Sequence, residues 1–192
     1  MKEEKRYDVV IIGGSYAGLS AGMTLGRGIR NVLIVDNGRP CNQQTPHSHN
    51  FLTQDGNTPA AIAELARTQV MNYPTIEFKN DLVVAAEGEN NNFLITLGEG
   101  ETITAKKILF STGVKDKMPA IKGLAECWGI SVIHCPYCHG YEYKGQRTGV
   151  FANGEIAFEF GRLISNWATE LVIFTNGESK ISDANSQQLS NN

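Results

Sequence analysis

The chain has 192 residues, of which 41% are hydrophobic, and it carries a formal net charge of -3 with a sequence pI near 5.8. This length is enough for one large or two small hydrophobic cores. The mildly acidic balance gives no reason to propose nucleic acid or a membrane surface as a partner. Residues 1–6 are mostly charged, and the apolar run after them is too short for a signal peptide or a membrane span, which predicts a cytoplasmic protein.

The N-terminal stretch has the layout of a dinucleotide-binding unit. Residues 7–12 form an apolar run, interrupted only by Asp8, that is typical of a buried parallel strand. The glycine-rich turn that follows consists of Gly13, Gly14, Ser15, Tyr16, Ala17 and Gly18. A short helical pattern and a second apolar run, residues 32–35, lead from it to Asp36. Strand, turn, helix and strand, with an acid roughly 20 positions beyond the turn, predict a dinucleotide site.

Each part of this turn has a physical role. Gly13 permits the tight turn, the exposed amides at the start of the helix can hold a pyrophosphate, and Gly18 lets the helix approach the strand. Asp36 can accept hydrogen bonds from ribose hydroxyls. Ser15 stands at the second glycine position, where it narrows the backbone approach slightly but stays small and polar. The competing interpretation is a glycine-rich strand–helix turn that binds nothing.

Residues 37–57 are polar and without periodicity, which predicts a long loop. The loop contains Arg39, Cys41, His47, His49 and Asn50. Long loops in compact domains are usually functional, and a solvated loop with incidental histidines is the competing interpretation.

The next segments predict a helix followed by β structure. Thr58 suits a helix cap and Pro59 the first helical turn, so a helix is predicted from there to a point before Pro74. Short β patterns follow at residues 76–78, 82–86 and 93–97, with 102–104 as an optional fourth. They predict an antiparallel meander inserted as a crossover.

The second half of the chain repeats the nucleotide-fold pattern. A buried strand over residues 107–111 leads to a connector at residues 118–123, a predicted boundary between lobes. A strand, a helix and a strand are then predicted at residues 148–152, 155–167 and 171–174. The side of this helix predicted to face the core carries Ile156, Phe160, Leu163, Ile164 and Trp167. Beyond Thr175 the composition is polar.

Residues 134–142, His-Cys-Pro-Tyr-Cys-His-Gly-Tyr-Glu, carry the reactive chemistry. Cys135 and Cys138 are two residues apart, so one sulfur can form a mixed disulfide while the other resolves it. The reacting species is a thiolate, and the flanking His134 and His139 can stabilise it or return a proton to a leaving one. The motif predicts dithiol chemistry and does not name the electron source.

Two other interpretations of the motif stay open. Cys-x-x-Cys-His is also a c-type haem attachment site, but covalent haem implies export, and the N-terminal residues do not resemble a signal peptide. The pair could be half of a zinc site, but structural zinc usually takes four ligands, and Cys127 lies eight residues upstream, outside the usual spacing. Redox chemistry is favoured over both, and no metal ligands are predicted.

In their order, these motifs resemble those of the low-molecular-weight thioredoxin reductases and their relatives. The matching residues are the turn at 13–18, Asp36, Ser111, Thr112, Gly113, Cys135 and Cys138. The resemblance implies an α/β fold with a Rossmann-like FAD-binding lobe, residues 1–114, that contains the antiparallel meander. A second, partial Rossmann-like lobe, residues 115–192, carries the dithiol. The implied protein is a homodimeric flavoenzyme that exchanges electrons between FAD and the dithiol.

The resemblance also implies roles for individual residues. Cys135 exchanges with substrate, Cys138 faces the flavin, and His139 stands where the family has an aspartate acid. The turn and Asp36 hold the pyrophosphate and the adenosine ribose. The other implied cofactor-binding residues are Asn37, Cys41, Asn42, His49 and Asn50, with Thr112 and Gly113 near the pyrophosphate.

Two departures concern the nicotinamide site. Ala152 replaces the first glycine of the second turn, and residues 175–178, Thr-Asn-Gly-Glu, stand where the family has arginines for the 2′-phosphate of NADPH. Each lost charge-assisted contact costs roughly 1.5–3 kcal/mol, so NADPH is a doubtful cofactor. This combination resembles the flavin-dependent dithiol oxidases of the gliotoxin and holomycin type, which pass electrons from a small dithiol to flavin and then to oxygen.

The third departure is length. The family's C-terminal segment, which grips the flavin, has no counterpart after Asn176, and this predicts a fragment or an incomplete flavin site. The expected partner is a small dithiol or disulfide, or a thioredoxin-like protein. A flavin-free binding or sensing module is the alternative from another functional class.

Overall fold

The computed structural model describes residues 6–190. These residues form two compact units: the first contains residues 6–47 and 56–130, and the second contains residues 48–55 and 131–190. The predicted boundary between residues 114 and 115 lies inside the first unit, and the assignment of lobes 1–114 and 115–192 stays a prediction. No helix within residues 6–190 is both long enough and apolar enough to cross a lipid bilayer.

The first unit begins with the predicted dinucleotide layout, which is confirmed at the level of the fold. Its elements are β1 (Arg6–Ile12), α1 (Tyr16–Arg27), β2 (Val32–Asp36), α2 (Pro59–Met71) and β3 (Ile76–Asn80). β2 pairs in parallel with β1 on one side and with β3 on the other. α2 starts as predicted, because Thr58 Oγ1 accepts a hydrogen bond from the Ala61 amide at 3.1 Å and Pro59 occupies the first turn.

An antiparallel meander extends the same sheet. It consists of β4 (Val83–Glu89), β5 (Asn92–Leu97) and β6 (Thr102–Phe110), and the strand order is β3-β2-β1-β6-β5-β4. β6 joins the two parts of the sheet, since it pairs antiparallel with β5 and parallel with β1. A four-residue helix, α3 (Leu124–Cys127), lies later in this unit.

Two details of the predicted meander are wrong. Residues 76–78 belong to β3 in the parallel part of the sheet, because α2 provides the crossover that parallel pairing with β2 requires. Residues 102–104 and 107–111 were predicted as separate strands, but residues 102–110 form the single strand β6. The polar residues Lys106 and Lys107 interrupt the apolar pattern without interrupting the strand, because both side chains are exposed and reach Asp8 and Asn90.

The two faces of the sheet bury alternate residues of β1 and β2, as expected when successive side chains point to opposite faces. One face packs against the meander through Val10, Ile12, Leu33, Val35, Ile95, Leu97, Ile103 and Ala105. The opposite face packs against α1 and α2 through Ile11, Val32, Ile34, Leu19, Val70 and Ile76. Burial on both faces explains why the strands are continuous apolar runs in the sequence.

The second unit contains the repeated strand–turn–helix–strand pattern, which is confirmed. Its elements are α4 (Pro136–His139), β7 (Arg147–Phe151), α5 (Gly154–Ile164), β8 (Glu170–Phe174) and α6 (Asp183–Ser190). β7 and β8 form a parallel two-stranded sheet in which Arg147 is opposite Glu170 and Phe151 is opposite Phe174.

The predicted core face of α5 is wrong. Ile156 and Phe160 are 65% and 40% exposed, whereas Ala157, Phe158 and Gly161 are buried. The helix approaches its neighbours closely through small residues: a Cβ on Gly161 would lie 2.8 Å from Leu189 Cδ2. Close approach therefore places the small residues Ala157 and Gly161 on the buried face beside Phe158 and leaves Ile156 and Phe160 outside it.

The polar C-terminal stretch contains a helix that the sequence analysis missed. α6 spans Asp183–Ser190 and packs against α5. Asn185 Nδ2 donates a hydrogen bond to Glu155 Oε2 at 3.1 Å, and Leu189 is the apolar contact with Gly161. Because α6 has only one large apolar residue, Leu189, its sequence shows no helical periodicity.

Candidate functional site

The glycine turn of the first unit is closely packed against the end of β6. Gly13 has a φ of +103°, and a Cβ there would lie 2.3 Å from Ser111 O. A Cβ on Gly18 would lie 1.9 Å from Gly13 O. Ser111 holds the turn in place with two hydrogen bonds: its Oγ donates to Gly13 O at 2.6 Å, and its amide donates to Ile12 O at 2.8 Å. Ser111 was part of the predicted motif, but its hydrogen bond to the turn was not foreseen.

The first turn of α1 presents backbone donors. Ser15 is the N-cap residue with an extended backbone, and its side chain makes no capping hydrogen bond. The Leu19 amide donates to Ser15 O at 2.9 Å. The amides before it, those of Tyr16, Ala17 and Gly18, belong to the first helical turn, where amides have no acceptor within the helix. Such amides at the positive end of a helix suit a phosphate group.

Asp36 connects the end of β2 to the glycine turn. Its Oδ2 accepts a hydrogen bond from the Gly14 amide at 2.6 Å, and its Oδ1 accepts one from the Gly38 amide at 2.7 Å. A carboxylate has about four acceptor positions, so two stay available for ribose hydroxyls. The neighbouring Asn37 accepts a hydrogen bond from the Arg39 amide at 3.2 Å and so shapes the start of the loop.

A cavity of about 290 Å³ lies beside the starts of α1 and α2. Its lining includes Ser15 and Tyr16 of the turn and Asn42 of the following loop. Cys41 is exposed and does not line it. Thr112 and Gly113 are exposed directly after β6. The glycine cradle, the amides of the first helical turn and this cavity fit the pyrophosphate and ribose of a dinucleotide such as FAD.

The dithiol lies in the second unit at the start of α4. Cys135 is the N-cap residue, Pro136 occupies the first turn, and the Cys138 amide donates to Cys135 O at 3.2 Å. Both cysteines are free thiols and partly buried. The helix is held on the unit by a ring contact between Tyr137 and Trp167, whose centroids are 5.7 Å apart at 87°. A single helical turn therefore presents both sulfurs together.

Burial raises the pKa of the Cys138 thiol to about 11, and the hydrogen bond and charge of the neighbouring Cys135 act in the same direction. Cys138 therefore keeps its proton at neutral pH. Any step in which Cys138 gains or loses electrons as a thiolate needs a partner that takes or returns this proton.

The loop at residues 48–55 brings a second histidine to the residues that follow the dithiol. The rings of His49 and His139 meet edge to face, with centroids 6.3 Å apart at 87°. His49 Nε2 lies 3.6 Å from Glu142 Oε1, and its Nδ1 lies 3.6 Å from Asp55 Oδ2. Glu142 and Asp55 were not among the predicted site residues. Acids are common in loops, and neither stands at a motif position, so the sequence carries no signal for them.

Burial lowers the pKa of His139, and the positive charges of His49 and His134 lower it further, while Glu142 opposes them. The neutral imidazole is therefore the prevailing form of His139 at neutral pH. A neutral imidazole directly after Cys138 in the chain can accept a proton.

At the second nucleotide turn, the side chain of Asn153 occupies the start of α5. Asn153 caps α5 by accepting a hydrogen bond from the Gly154 amide at 2.8 Å, and it also accepts one from the Lys180 amide at 2.8 Å. Its Nδ2 donates to Thr175 O at 3.2 Å and to Glu178 O at 2.9 Å. Asn153 thus fastens the loop after β8 across the start of α5, where a Rossmann unit would receive a pyrophosphate.

No group of three or more His, Cys, Asp or Glu side chains within residues 6–190 has an arrangement that could hold a metal ion. The cysteine pair is followed in the chain by His139, whose ring meets that of His49, and the ring of His49 lies 3.6 Å from carboxylate oxygens of Asp55 and Glu142. The arrangement can therefore carry out thiol chemistry coupled to proton movement.

Comparison with known proteins agrees with these features. The model of the family described as pyridine nucleotide-disulphide oxidoreductase matches residues 7–190. This chain belongs to the pyridine nucleotide-disulphide oxidoreductase family. The thioredoxin reductase sirT of Leptosphaeria maculans is 34% identical over 183 residues, which are 89% of this chain and 56% of that protein. The chain thus spans little more than half the length of this family member.

Two solved structures are similar to this chain over nearly its whole length. An oxidoreductase from Agrobacterium tumefaciens is 41% identical with a TM-score of 0.92, over 97% of this chain and 63% of that one. HlmI is 35% identical with a TM-score of 0.87, over 100% of this chain and 61% of that one. The predicted α/β fold and the predicted resemblance to thioredoxin reductase-like proteins are confirmed.

Proposed function

We propose that this chain carries the flavin turn and the redox dithiol of an FAD-dependent thiol–disulfide oxidoreductase. The observation that carries the proposal is the pair of free thiols, Cys135 and Cys138, on one helical turn beside His139 and a second histidine held between carboxylates. This constellation occurs in a chain of the disulphide oxidoreductase family, which makes an inert thiol pair a poor explanation.

The proposed cofactor is FAD, which when bound supplies a two-electron acceptor or donor for the dithiol. The residues proposed to hold it are Gly13, Gly14, Ser15, Tyr16, Ala17, Gly18, Asp36, Asn37, Cys41, Asn42, His49, Asn50, Thr112 and Gly113. The amides of the first turn of α1 would bind the pyrophosphate, and Asp36 would bind the ribose while ordering Gly14 and Gly38. A location in the cytoplasm and a homodimeric assembly are parts of the same proposal.

The thiol steps follow from the positions of the two sulfurs. With the enzyme disulfide formed, a substrate thiolate attacks Cys135 Sγ, a mixed disulfide forms, and Cys138 leaves with the bonding electron pair. A second substrate thiolate attacks the substrate sulfur of the mixed disulfide and releases Cys135. The substrate is then a disulfide, and the enzyme dithiol holds its two electrons. His139, which is neutral at neutral pH, accepts the proton that the substrate thiol loses, gives it to Cys138 as that sulfur leaves, and removes it again when the pair is reoxidised.

The direction proposed is oxidation of a small dithiol, with dioxygen rather than NADP⁺ as the final electron acceptor. Support comes from Asn153, which fastens residues 175–180 across the start of α5 with three hydrogen bonds. That loop also lacks an arginine to pair with a 2′-phosphate. A thioredoxin-like protein is the alternative substrate, and it would call for the reverse direction.

The experiment is anaerobic. The FAD-loaded protein is mixed with NADPH, with NADH and with dithiothreitol, and the flavin absorbance is followed. Bleaching by dithiothreitol alone is the expected result. Bleaching by either nucleotide would contradict the oxidase direction, and absence of bleaching by dithiothreitol would contradict dithiol–flavin exchange itself. The matched control is Cys138→Ser, which should abolish bleaching by dithiothreitol.

A flavin-free binding module is the second candidate. It is favoured by the hydrogen bond from the Gly14 amide to the Asp36 carboxylate, because this bond orders the turn without a ligand. Protein that stays colourless after incubation with FAD and desalting, in a form extended to the length of its relatives, would support this candidate. A stoichiometric flavin spectrum would eliminate it.

A further inference from the structure

The loop at residues 48–55 is far from the dithiol in the sequence but belongs to the same compact unit. Within this unit, His49 contacts His139 edge to face, and it lies between Glu142 and Asp55 with each ring nitrogen 3.6 Å from a carboxylate oxygen. At this distance the contacts are ionic when the imidazole is protonated and are too long for direct hydrogen bonds. The side chain of His49 is 22% exposed, so the ring is also open to solvent.

The loop fixes the position of Asp55. Asp55 Oδ1 accepts a hydrogen bond from the Asn50 amide at 2.8 Å, which leaves Oδ2 directed at His49. Asn50 has a left-handed backbone with a φ of +57°, a conformation that asparagine adopts more readily than most residues. The tight turn between residues 50 and 55 therefore has a specific result: one carboxylate faces Nδ1 of His49 while another faces Nε2.

We infer that His49, oriented by Asp55 and Glu142, is the proton outlet of the dithiol and exchanges protons between His139 and solvent. The inference deepens the proposed function and rests on it for the identity of the reaction. Asp55 and Glu142 are positioning residues, since they act through the ring between them. The other titratable group near His139 is His134, which is exposed.

The proton balance shows why such an outlet is needed. When the dithiol closes, two S–H bonds break, one S–S bond forms, two electrons pass to the oxidant, and two protons leave. Cys138 holds one of these protons tightly at neutral pH, and His139 can take it only after losing the proton from the preceding turnover. An imidazole whose ring lies against that of His139 and whose side chain is 22% exposed can restore it through solvent. Since each nitrogen of His49 faces a carboxylate, a proton arriving at either nitrogen has an anionic partner.

The test uses dithiol closure in the flavin-free protein and does not depend on the flavin. The full chain is reduced, mixed with oxidised glutathione between pH 5.5 and 9, quenched by alkylation, and scored by mass spectrometry for the Cys135–Cys138 disulfide. His49→Gln should close the disulfide about tenfold more slowly at pH 7, less than the roughly 10²–10⁴-fold contribution of a direct general base, because His49 acts through His139. Asp55→Asn should lose about threefold, because the amide oxygen can still accept from Asn50 while the charge is gone.

A structural role would not reproduce two further results. Added imidazole should restore the closure rate of His49→Ala, and the double variant His49→Gln/His139→Gln should be no slower than His139→Gln, as expected for groups acting in series. The matched control is His47→Gln, at the residue just before this loop, whose Nδ1 contacts Gly56 O at 3.0 Å and which should keep the wild-type profile.

Failure of the proton outlet and failure of the dithiol function would give different results. A wild-type rate in both His49→Gln and Asp55→Asn, with His139→Gln slow, would overturn the outlet and leave the dithiol function intact. Independent, multiplicative losses in the double variant would also overturn it. A wild-type protein whose Cys135–Cys138 pair does not close with oxidised glutathione at any pH would overturn the proposed dithiol function together with the outlet.

Discussion

Cys138 differs from an ordinary thiol because its burial penalises the thiolate. Its pKa is raised from 9.0 to about 11 by that burial and by the adjacent Cys135. A pKa that is higher in the folded state favours folding below pH 9, and this contribution is lost as pH rises through 11, because the unfolded chain releases the proton first. The same shift governs the reactivity of Cys138.

We predict that Cys138 is alkylated by iodoacetamide about tenfold more slowly at pH 8 than an unburied thiol. The smaller thiolate fraction lowers the rate about 100-fold, and the greater nucleophilicity of a more basic thiolate restores about tenfold of that loss. Mass spectrometry of the fully reduced protein, with the exposed Cys41 as internal reference, measures this. A rate for Cys138 that levels off near pH 9 would contradict the burial argument.

Gly18 illustrates how packing overrides helix propensity at one position. An alanine in the middle of a helix normally stabilises by up to about 1 kcal/mol relative to glycine. At Gly18, however, the added Cβ would lie 1.9 Å from Gly13 O, which is backbone and cannot move aside cheaply.

We predict that Gly18→Ala lowers the free energy of unfolding by about 2–4 kcal/mol, as expected for overpacking against backbone. Urea unfolding followed by circular dichroism measures the change. Gly28→Ala at the end of α1 is the matched control, because its nearest contact is 3.3 Å and its φ is ordinary, and we expect a change under about 0.5 kcal/mol. A Gly18→Ala protein as stable as the wild type would show that α1 can shift away from β1.

At the scale of elements, Asn153 connects α5 with the loop after β8. Its side chain makes one hydrogen bond within the cap and three to residues 175–180. The loop contains no apolar residue that is buried, so these hydrogen bonds are its principal attachment within the described residues.

We predict that Asn153→Ala destabilises the protein by about 2 kcal/mol, the upper end for loss of a cap, because carbonyl groups of the loop lose their donor as well. Amide hydrogen exchange should accelerate at residues 175–180. Asn166→Ala is the control: it removes one exposed hydrogen bond, to Leu163 O at 2.8 Å, and should change stability by less than about 0.5 kcal/mol. Unchanged exchange in the loop of Asn153→Ala would show that other contacts hold it.

The elements that the sequence predicted well are those with strong local signals. β1 and β2 are apolar because both faces are covered, and α2 has both a capping threonine and a proline in its first turn. The predictions were wrong where tertiary contacts determine which residues are buried or whether a helix forms. The buried face of α5 follows from the close approach of Gly161 to Leu189, and α6 is held by two side-chain contacts that have no periodicity. No local pattern contains that information.

The candidate site shows the same division. The glycine turn, Asp36 and the cysteine pair have fixed spacings and were recognisable from the sequence. The partners that orient the histidines were not, because Asp55 and Glu142 meet His49 only after the chain has folded. Likewise, the role of Asn153 depends on hydrogen bonds to residues 175–180 that no spacing rule describes.

At the scale of the whole molecule, the two units differ in how much apolar side chain they bury. The largest fully buried side chains among the described residues are Ile11, Ile34, Ile95, Leu97, Val10, Val32, Val35 and Val70, all in the first unit. In the described part of the second unit the buried apolar residues are Val150, Ala157, Phe158 and Pro136. Local stability follows buried apolar area, so the second unit has less to hold it together.

We predict that hydrogen exchange is at least tenfold faster in β7 and β8 than in β1 and β2 under native conditions. Urea should release the amides of the second unit at a lower concentration than those of the first. Exchange measured peptide by peptide tests both statements, with the unchanged full chain as the sample. A single common transition for all strands would show that the chain unfolds as one cooperative unit.

The shared strand β6 has a practical consequence for anyone who engineers this chain. Its first half is in register with the hairpin strand β5, and its last residue is followed by Ser111, whose hydroxyl fastens Gly13. A one-residue deletion inside β6 would therefore turn over its side chains and displace the serine beneath the cofactor turn at the same time. An insertion at the hairpin tip near Asn91 would disturb the same strand, because the Asn91 amide donates to Lys106 O at 2.9 Å and Lys107 Nζ contacts Asn90 Oδ1.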